Sequence, residues 1–144
     1  MVMCHSGHKN SHPMDFLPFA DASPECNVIL AHLGNSGDIE GKADPTHHVQ
    51  AIAASKHGNV FVDTSSAAGI QPHLLEWAVG QIGADKILFG TDTPLYFAAM
   101  QRARIDSAEG LSDEAKRLIL RGNAERLLGI AGARGMQQQQ GISL

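Results

Sequence analysis

Four short runs of apolar residues recur along the chain, and each ends abruptly in polar residues. The runs are Met1–Cys4, Asn27–Ala31, Asn59–Val62 and Lys86–Thr91. Apolar runs of this length, without polar alternation, are typical of strands that are buried on both faces of a parallel sheet. Between them, apolar residues recur every three or four positions, which is the period of an amphipathic helix. The pattern therefore predicts four strand–helix units, repeating at the spacing of about 30 residues that such a unit needs.

Capping residues and helix breakers predict where the helices begin and end. Asp44 is a good N-cap because proline follows it, and the helix that it begins should stop at Gly58. Ser112 caps a later helix, which carries two carboxylates in its first turn and should end at Gly122. Asn123 should then cap a last short helix. The predicted helices cover residues 13–20, 44–58, 72–83, 95–108, 112–122 and 123–128.

Alternating strands and helices predict the α/β class. The alternation favours a parallel sheet that is covered by helices and connected by right-handed crossovers. The chain has 144 residues, the size of one ordinary domain that buries roughly 70% of its unfolded surface. We expect the folded domain to span residues 1–131. The remaining segment, 132–144, contains a run of four glutamines and is expected to be a disordered tail.

The residues that follow the four predicted strands are the candidates for chemistry. They are His5, His32, Asp63 and Asp92. The carboxyl ends of parallel strands share one edge of the sheet, where such folds carry their active sites. Imidazoles and carboxylates that converge there are the ligands of a divalent transition metal, which lowers the pKa of bound water to about 7. We expect Asp92 to bind the metal and accept a proton, and His32 to polarise a carbonyl or carry a proton.

Each of these residues also has a simpler interpretation. A histidine at a strand end is often a hydrogen-bonded surface group. Asp63 and Asp92 both precede turn-forming residues and fit a carboxylate that bonds its own backbone. A shared site is favoured because residues of this kind follow all four predicted strands. A second metal site made by Cys4, His5, His8 and His12 is another possibility, although these residues lack the second half of a zinc-finger pattern.

The amino-acid composition of the chain excludes some classes of binding partner. The formal net charge is −4, and Lys and Arg cluster only lightly, near the C-terminus, so a nucleic-acid partner is not expected. Apolar runs fall well short of the ~20 residues of a membrane span, and residues 1–5 lack the hydrophobic region of a signal peptide. Two cysteines are too few for a disulfide framework. We therefore expect a cytoplasmic protein that acts on a small molecule.

Four motifs together resemble the amidohydrolase-related family. They are His32-Leu-Gly34, Asn59-Val-Phe-Val-Asp-Thr-Ser65, Ile87-Leu-Phe-Gly-Thr-Asp-Thr-Pro94 and Gly122-Asn-Ala-Glu-Arg-Leu-Leu128. Each motif is weak alone, but their order and spacing make the set fairly specific, and the resemblance runs over nearly all of residues 1–131. The family consists of metal-dependent hydrolases and decarboxylases on a (β/α)8 barrel. The resemblance implies a partial barrel: four parallel βα units, corresponding to strands five to eight, plus C-terminal helices.

The resemblance also implies roles for individual residues. In the family, a histidine on strand five and an aspartate on strand eight bind the metal, and a histidine on strand six assists catalysis. By position these roles fall on His5, Asp92 and His32. The implied cofactor is a divalent metal, with zinc favoured. The reaction would be hydrolysis of a C–N or C–O bond, or decarboxylation of a small carboxylated substrate.

One part of the family pattern is missing. The first strand of the family supplies a His-x-His metal pair, and this sequence contains no His-x-His, since His47 and His48 are adjacent. The remaining ligands would come from an N-terminal half or from another copy in a homo-oligomer. The alternative is a catalytically inactive half-barrel that acts as a structural or self-associating protein, because half a barrel leaves two sheet edges exposed.

Overall fold

The fold of the chain is built on one sheet of four parallel strands, and the computed structural model describes residues 1–36, 44–66 and 70–130. The strands are β1 (Val2–Cys4), β2 (Val28–Leu30), β3 (Val60–Asp63) and β4 (Ile87–Leu88). Their order in space is β1-β2-β3-β4, the same as along the chain. All three pairings are parallel, as predicted. The tail for which disorder is predicted, 132–144, lies outside the described residues.

Six α-helices connect and follow the strands within the described ranges. They are α1 (Leu17–Ala22), α2 (His47–Ala54), α3 (Leu74–Ile82), α4 (Ala98–Asp106), α5 (Asp113–Arg117) and α6 (Asn123–Leu127). Short 3-10 turns precede α1 at Pro13–Phe16 and β4 at Ala84–Lys86. Each helix lies close to a predicted one. As predicted, Ser112 caps α5, because its hydroxyl accepts a hydrogen bond from the backbone N–H of Ala115 over 3.2 Å.

Several predicted boundaries are wrong. Helix α2 begins at His47 and ends at Ala54, so Asp44 is not its N-cap and Gly58 does not end it; the Asp44 carboxylate instead accepts from the N–H of Thr46 over 2.8 Å.

Long-range contacts explain two further differences. The fourth strand ends before Phe89, because the N–H of Phe89 donates to the carbonyl of Ile119 over 2.9 Å and not to a neighbouring strand. The helix from Ser112 does not stop at Gly122, since a π turn continues the chain directly into α6. Asn123 does not cap α6. Its buried amide instead donates to the carbonyls of Ala84 and Ile87, at 2.7 and 2.8 Å.

The two faces of the sheet are covered differently. The main core lies between the helices and one face of the strands, to which Val28, Val60 and Ile87 contribute. On the opposite face, a smaller cluster of Ile29, Phe61 and Leu88 packs against α6 through Ala124 and Leu127. Strands β2, β3 and β4 are therefore buried on both faces, as their apolar sequences predict.

Strand β1 lies at an open edge of the sheet. Met3 is in register with Ile29, yet it is 62% exposed, and Met1 is 60% exposed. The expected burial of this strand is thus incomplete. None of the helices in the described ranges is long and apolar enough to span a bilayer.

Candidate active site

The four residues at the strand ends lie around one cavity. His5 follows β1, His32 follows β2, Asp63 ends β3, and Asp92 follows β4. All four line a cavity of about 370 Å³ at the carboxyl ends of the strands. The other lining residues are Met3, Ala31, Ser65, Phe89, Gly90 and Thr91. The structure therefore brings the predicted site residues together, as the parallel topology requires.

A chain of hydrogen bonds joins three of these side chains through a serine. His5 Nδ1 lies 3.0 Å from His32 Nε2, and His32 Nδ1 lies 2.7 Å from Ser65 Oγ. The hydroxyl of Ser65 in turn donates to Asp63 Oδ1. Sequence reasoning missed Ser65, although its position two residues after a strand-end aspartate is the local signal that marks it.

Asp63 is both a turn former and the anchor of this chain of hydrogen bonds. Its Oδ1 accepts from the backbone N–H of Ser65 over 3.0 Å, which is the turn predicted from the sequence. The same oxygen accepts from the backbone N–H of His32 over 2.9 Å. The carboxylate therefore links the ends of β2 and β3. The interpretation of Asp63 as a turn former is confirmed, and the same residue also lines the cavity.

Gly90 makes room for the Asp63 carboxylate. A Cβ atom at position 90 would lie 2.6 Å from Asp63 Oδ2 and 3.0 Å from the Cβ of Ser65. Both neighbours are buried, and Asp63 is held by three donors, so neither moves away cheaply. The glycine in the fourth-strand motif is thus explained by close packing against the third strand.

Two of the site residues have unusual backbone conformations. His32 has φ of 77° and Asp92 has φ of 58°, both in the left-handed region that L-residues seldom occupy. Among the described residues, two other non-glycine residues share a positive φ, Ser66 and His73. Strained backbone that persists in a fold is concentrated at functional sites. The two strained strand ends are the ones for which a catalytic role is predicted.

The electrostatics of the site favour a neutral His5. The pKa of His5 lies below its ordinary value, first through partial desolvation and then through the nearby His32 and His8, while Asp92 opposes the change. His8 stacks on His5 with ring centroids 5.1 Å apart. The side chain of His5 is still largely exposed to the cavity. Only a neutral imidazole has a lone pair for a metal, so this environment suits a ligand.

The described part of the chain supplies few metal donors. Within residues 1–36, 44–66 and 70–130, no three His, Cys, Asp or Glu side chains are grouped so that they hold a metal ion. The alternative site at Cys4, His5, His8 and His12 is therefore wrong. His5 and Asp92 are suitable in kind, as imidazole and carboxylate, but they are two where a catalytic zinc site typically has three protein ligands.

A second buried serine–histidine pair lies behind the site. His48, from α2, is fully buried, and its Nε2 lies 2.9 Å from Ser6 Oγ and 3.2 Å from the carbonyl oxygen of Ala31. The hydroxyl of Ser6 also donates to Ala31 over 2.8 Å. These contacts tie α2 to the ends of β1 and β2. Burial is the main cause that lowers the pKa of His48 to about 4.

Acid should therefore destabilise the fold through His48. Its folded pKa of about 4 lies below its ordinary value of 6.5, so between these pH values the unfolded chain binds the proton and the native chain does not. At about 1.4 kcal/mol per pH unit, the free energy of unfolding should fall by roughly 3 kcal/mol as the pH drops from 6.5 to about 4. Urea unfolding at several pH values measures this loss.

The control is His48→Gln, whose amide can still donate to Ala31. This variant should lose the part of the pH dependence above pH 4 that His48 contributes, while the wild type keeps it. His5 also has a lowered pKa, and it contributes to the same pH window in both proteins. Asp21 and Asp44 have lowered pKa values, through hydrogen bonds from Lys56 and Thr46 respectively. Their stabilising contribution is lost only as the pH falls below their ordinary value of 3.8, so it does not overlap this window. An unchanged slope in His48→Gln would contradict the prediction.

The chain is similar to a known protein family. A family model described as Amidohydrolase matches residues 1–130. Comparison with curated protein sequences gives no significant match.

Several solved structures are similar to the chain. An amidohydrolase 2 from Bifidobacterium longum subsp. infantis has a TM-score of 0.65 and 19% identity, over 89% of this chain and 49% of that one. A dihydroxybenzoic acid decarboxylase from Polaromonas sp. JS666, with bound manganese and the inhibitor 2-nitroresorcinol, has a TM-score of 0.58 and 23% identity, over 80% and 37%. An amidohydrolase from Burkholderia multivorans with bound zinc has a TM-score of 0.54 and 17% identity, over 78% and 49%.

The chain spans about half or less of the length of these structures. At such identities the likeness shows the fold. The four parallel strands in one sheet, together with barrel neighbours of which the chain covers about half, confirm the predicted α/β class and the partial (β/α)8 barrel.

Proposed function

The chain belongs to the amidohydrolase family, and from this membership we propose that it forms the C-terminal half of the catalytic barrel of a cytoplasmic metal-dependent hydrolase or decarboxylase. The observation that carries the proposal is the convergence of His5, His32 and Asp92 on one cavity. The substrate would be a small carboxylated molecule, as the similar decarboxylase suggests. Both cysteines are free thiols, which agrees with a reducing compartment.

The metal would be held in part by His5 and Asp92. Similar structures contain manganese or zinc, which supports a divalent metal, and we propose zinc because imidazole and carboxylate are among its usual ligands. A metal of this kind supplies activated water or polarises a substrate oxygen. The further donors would come from outside the described part of this chain, either from an N-terminal half or from a second copy.

His32 would move a proton in the chemical step. Ser65 occupies its Nδ1, so a proton would be exchanged through Nε2. That atom lies 3.0 Å from His5 Nδ1, and this hydrogen bond would have to open before Nε2 reaches a group in the cavity. Hydrogen bonds to Ser65 and His5 hold the ring at the carboxyl end of β2, where the backbone of His32 has φ of 77°. The ring is buried and lies beside His5, so a substrate group bound near His5 is within reach.

Metal titration of the purified chain tests the proposed ligands. We expect zinc chloride to bind the wild type weakly, and His5→Ala and Asp92→Asn each to weaken binding at least ~10-fold, since losing even an outer-shell partner costs that much. Isothermal titration calorimetry with zinc and then manganese measures this. His57→Ala is the matched control, because His57 is exposed and distant from the cavity lining. Binding that is equally strong in all four proteins would refute the assignment.

A second function, as a self-associating structural protein, is favoured by the open edge of the sheet. Among the described residues, no strand pairs with the outer side of β1, and Met1, just before this strand, and Met3, within it, are 60% and 62% exposed. Exposed strand edges pair readily with other chains. Light scattering decides between the two: a stable mass above the 15.3 kDa of one chain, without metal binding, supports association alone. A monomer that binds zinc supports the enzyme.

A further inference from the structure

We propose that Ser65 and Asp63 are positioning residues that fix the protonation pattern of both histidines in the cavity, with a proton on His32 Nδ1 and a free lone pair on His5 Nε2. This goes beyond the proposed function, on which it rests only for its catalytic consequence. The placement of the protons follows from the hydrogen bonds alone. It requires neither a metal nor turnover.

The direction of the first bond is set by Asp63. An ionised carboxylate can only accept hydrogen bonds, so the single proton of Ser65 is directed at Asp63 Oδ1. The oxygen of Ser65 must then act as an acceptor towards its other neighbour, His32 Nδ1, at 2.7 Å. In a neutral imidazole one nitrogen carries the proton and the other a lone pair. His32 is therefore the Nδ1–H tautomer.

The same reasoning extends to His5. With its proton on Nδ1, His32 offers only a lone pair at Nε2, which lies 3.0 Å from His5 Nδ1. His5 must therefore donate from Nδ1–H, and the lone pair of His5 remains on Nε2. Hydrogen bonding at one ring nitrogen is the usual means by which proteins prepare the other for a metal. A serine two positions away from the strand-end aspartate thus prepares a ligand on a different strand.

Burial and backbone contacts keep this pattern rigid. His32, Asp63 and Ser65 are all buried, so water does not compete for their bonds. Asp63 Oδ1 is held by the backbone N–H groups of both His32 and Ser65, at 2.9 and 3.0 Å. The carboxylate cannot rotate away without leaving buried donors unpaired, which is unfavourable.

His48 provides an internal comparison, because the structure assigns it the opposite tautomer. The proton of Ser6 is directed at the carbonyl of Ala31, so the oxygen of Ser6 accepts from His48 Nε2. The carbonyl of Ala31 also lies 3.2 Å from that nitrogen and can only accept. The Nδ1 atom of His48 is buried and has no hydrogen-bond partner within the described part of the chain. His48 is therefore the Nε2–H tautomer.

Nitrogen NMR of the metal-free chain tests this assignment. In long-range ¹H–¹⁵N spectra at about pH 8, where histidines are neutral, His5 and His32 should carry the proton on Nδ1 and His48 on Nε2. Ser65→Ala should abolish the Nδ1–H preference of His32, and Ser65→Thr, which keeps the hydroxyl, should restore it. Ser6→Ala should change the signals of His48 and leave those of His32 as in the wild type.

Two outcomes overturn the inference: an Nε2–H tautomer for His32 in the wild type, or an Nδ1–H tautomer that survives Ser65→Ala in a folded protein. If Ser65 had only a structural role, Ser65→Ala would lower stability without changing the tautomer of His32. The NMR measurement therefore separates a structural role from a positioning role. Failure of the proposed function is seen separately, as a lack of zinc binding in the wild type. The tautomer measurement does not depend on whether zinc binds.

Discussion

Replacing His32 by alanine is expected to lower the turnover number about 10²–10⁴-fold, the usual contribution of a positioned proton-transfer group. The expectation applies to any preparation in which this chain turns over a substrate, alone or joined to a segment that supplies the remaining ligands. His32 has its Nδ1 bound to Ser65 and its Nε2 beside His5, so alanine removes the group that exchanges protons. Steady-state kinetics and metal analysis of the same samples measure the effect.

The metal content decides what the loss means. If His32 acts in the chemical step, metal content stays at the wild-type level while turnover falls. If the metal is lost together with activity, His32 is a ligand and not a proton carrier. His57→Ala is the matched control, since it removes an exposed imidazole far from the cavity lining. Turnover at the wild-type rate in His32→Ala would remove His32 from the mechanism.

The edge of the sheet that carries the site is predictable from local sequence. Apolar runs mark the strands, and parallel topology then forces their carboxyl ends together. For that reason the positions of His5, His32 and Asp92 in the sequence are enough to group them around one site. Family membership follows from the motifs at the same positions, and the match over residues 1–130 confirms it.

Contacts between residues far apart in the chain could not be predicted in this way. His48 lies at the start of a helix, and this position alone does not predict its hydrogen bond to Ser6, which is 42 residues earlier in the chain. The role of Ser65 depends on a histidine 33 residues away. The early end of β4 likewise depends on the carbonyl of Ile119. Pattern and propensity describe local preference, while these features depend on which elements pack together.

Replacing Gly7 by alanine is expected to lower the free energy of unfolding by about 4 kcal/mol. Gly7 has φ of 93°, where an L-residue costs about 1–2 kcal/mol. Its Cβ would also lie 2.2 Å from the carbonyl oxygen and 2.9 Å from the Cβ of Asn35. Forcing such contacts apart typically costs a further 1–3 kcal/mol, occasionally more. Urea unfolding near pH 7 measures the change.

The control is Gly80→Ala, within α3, where an added Cβ meets no atom within 4 Å. That change should be neutral or stabilising by about 0.5–1 kcal/mol, because alanine favours a helix. A loss in Gly7→Ala no larger than that in Gly80→Ala would refute the packing argument. Asn35 also donates to the carbonyl of Ser6, so the clash separates the loops that carry His5 and His32. The damage to stability should therefore be accompanied by loss of the hydrogen bond between these two histidines.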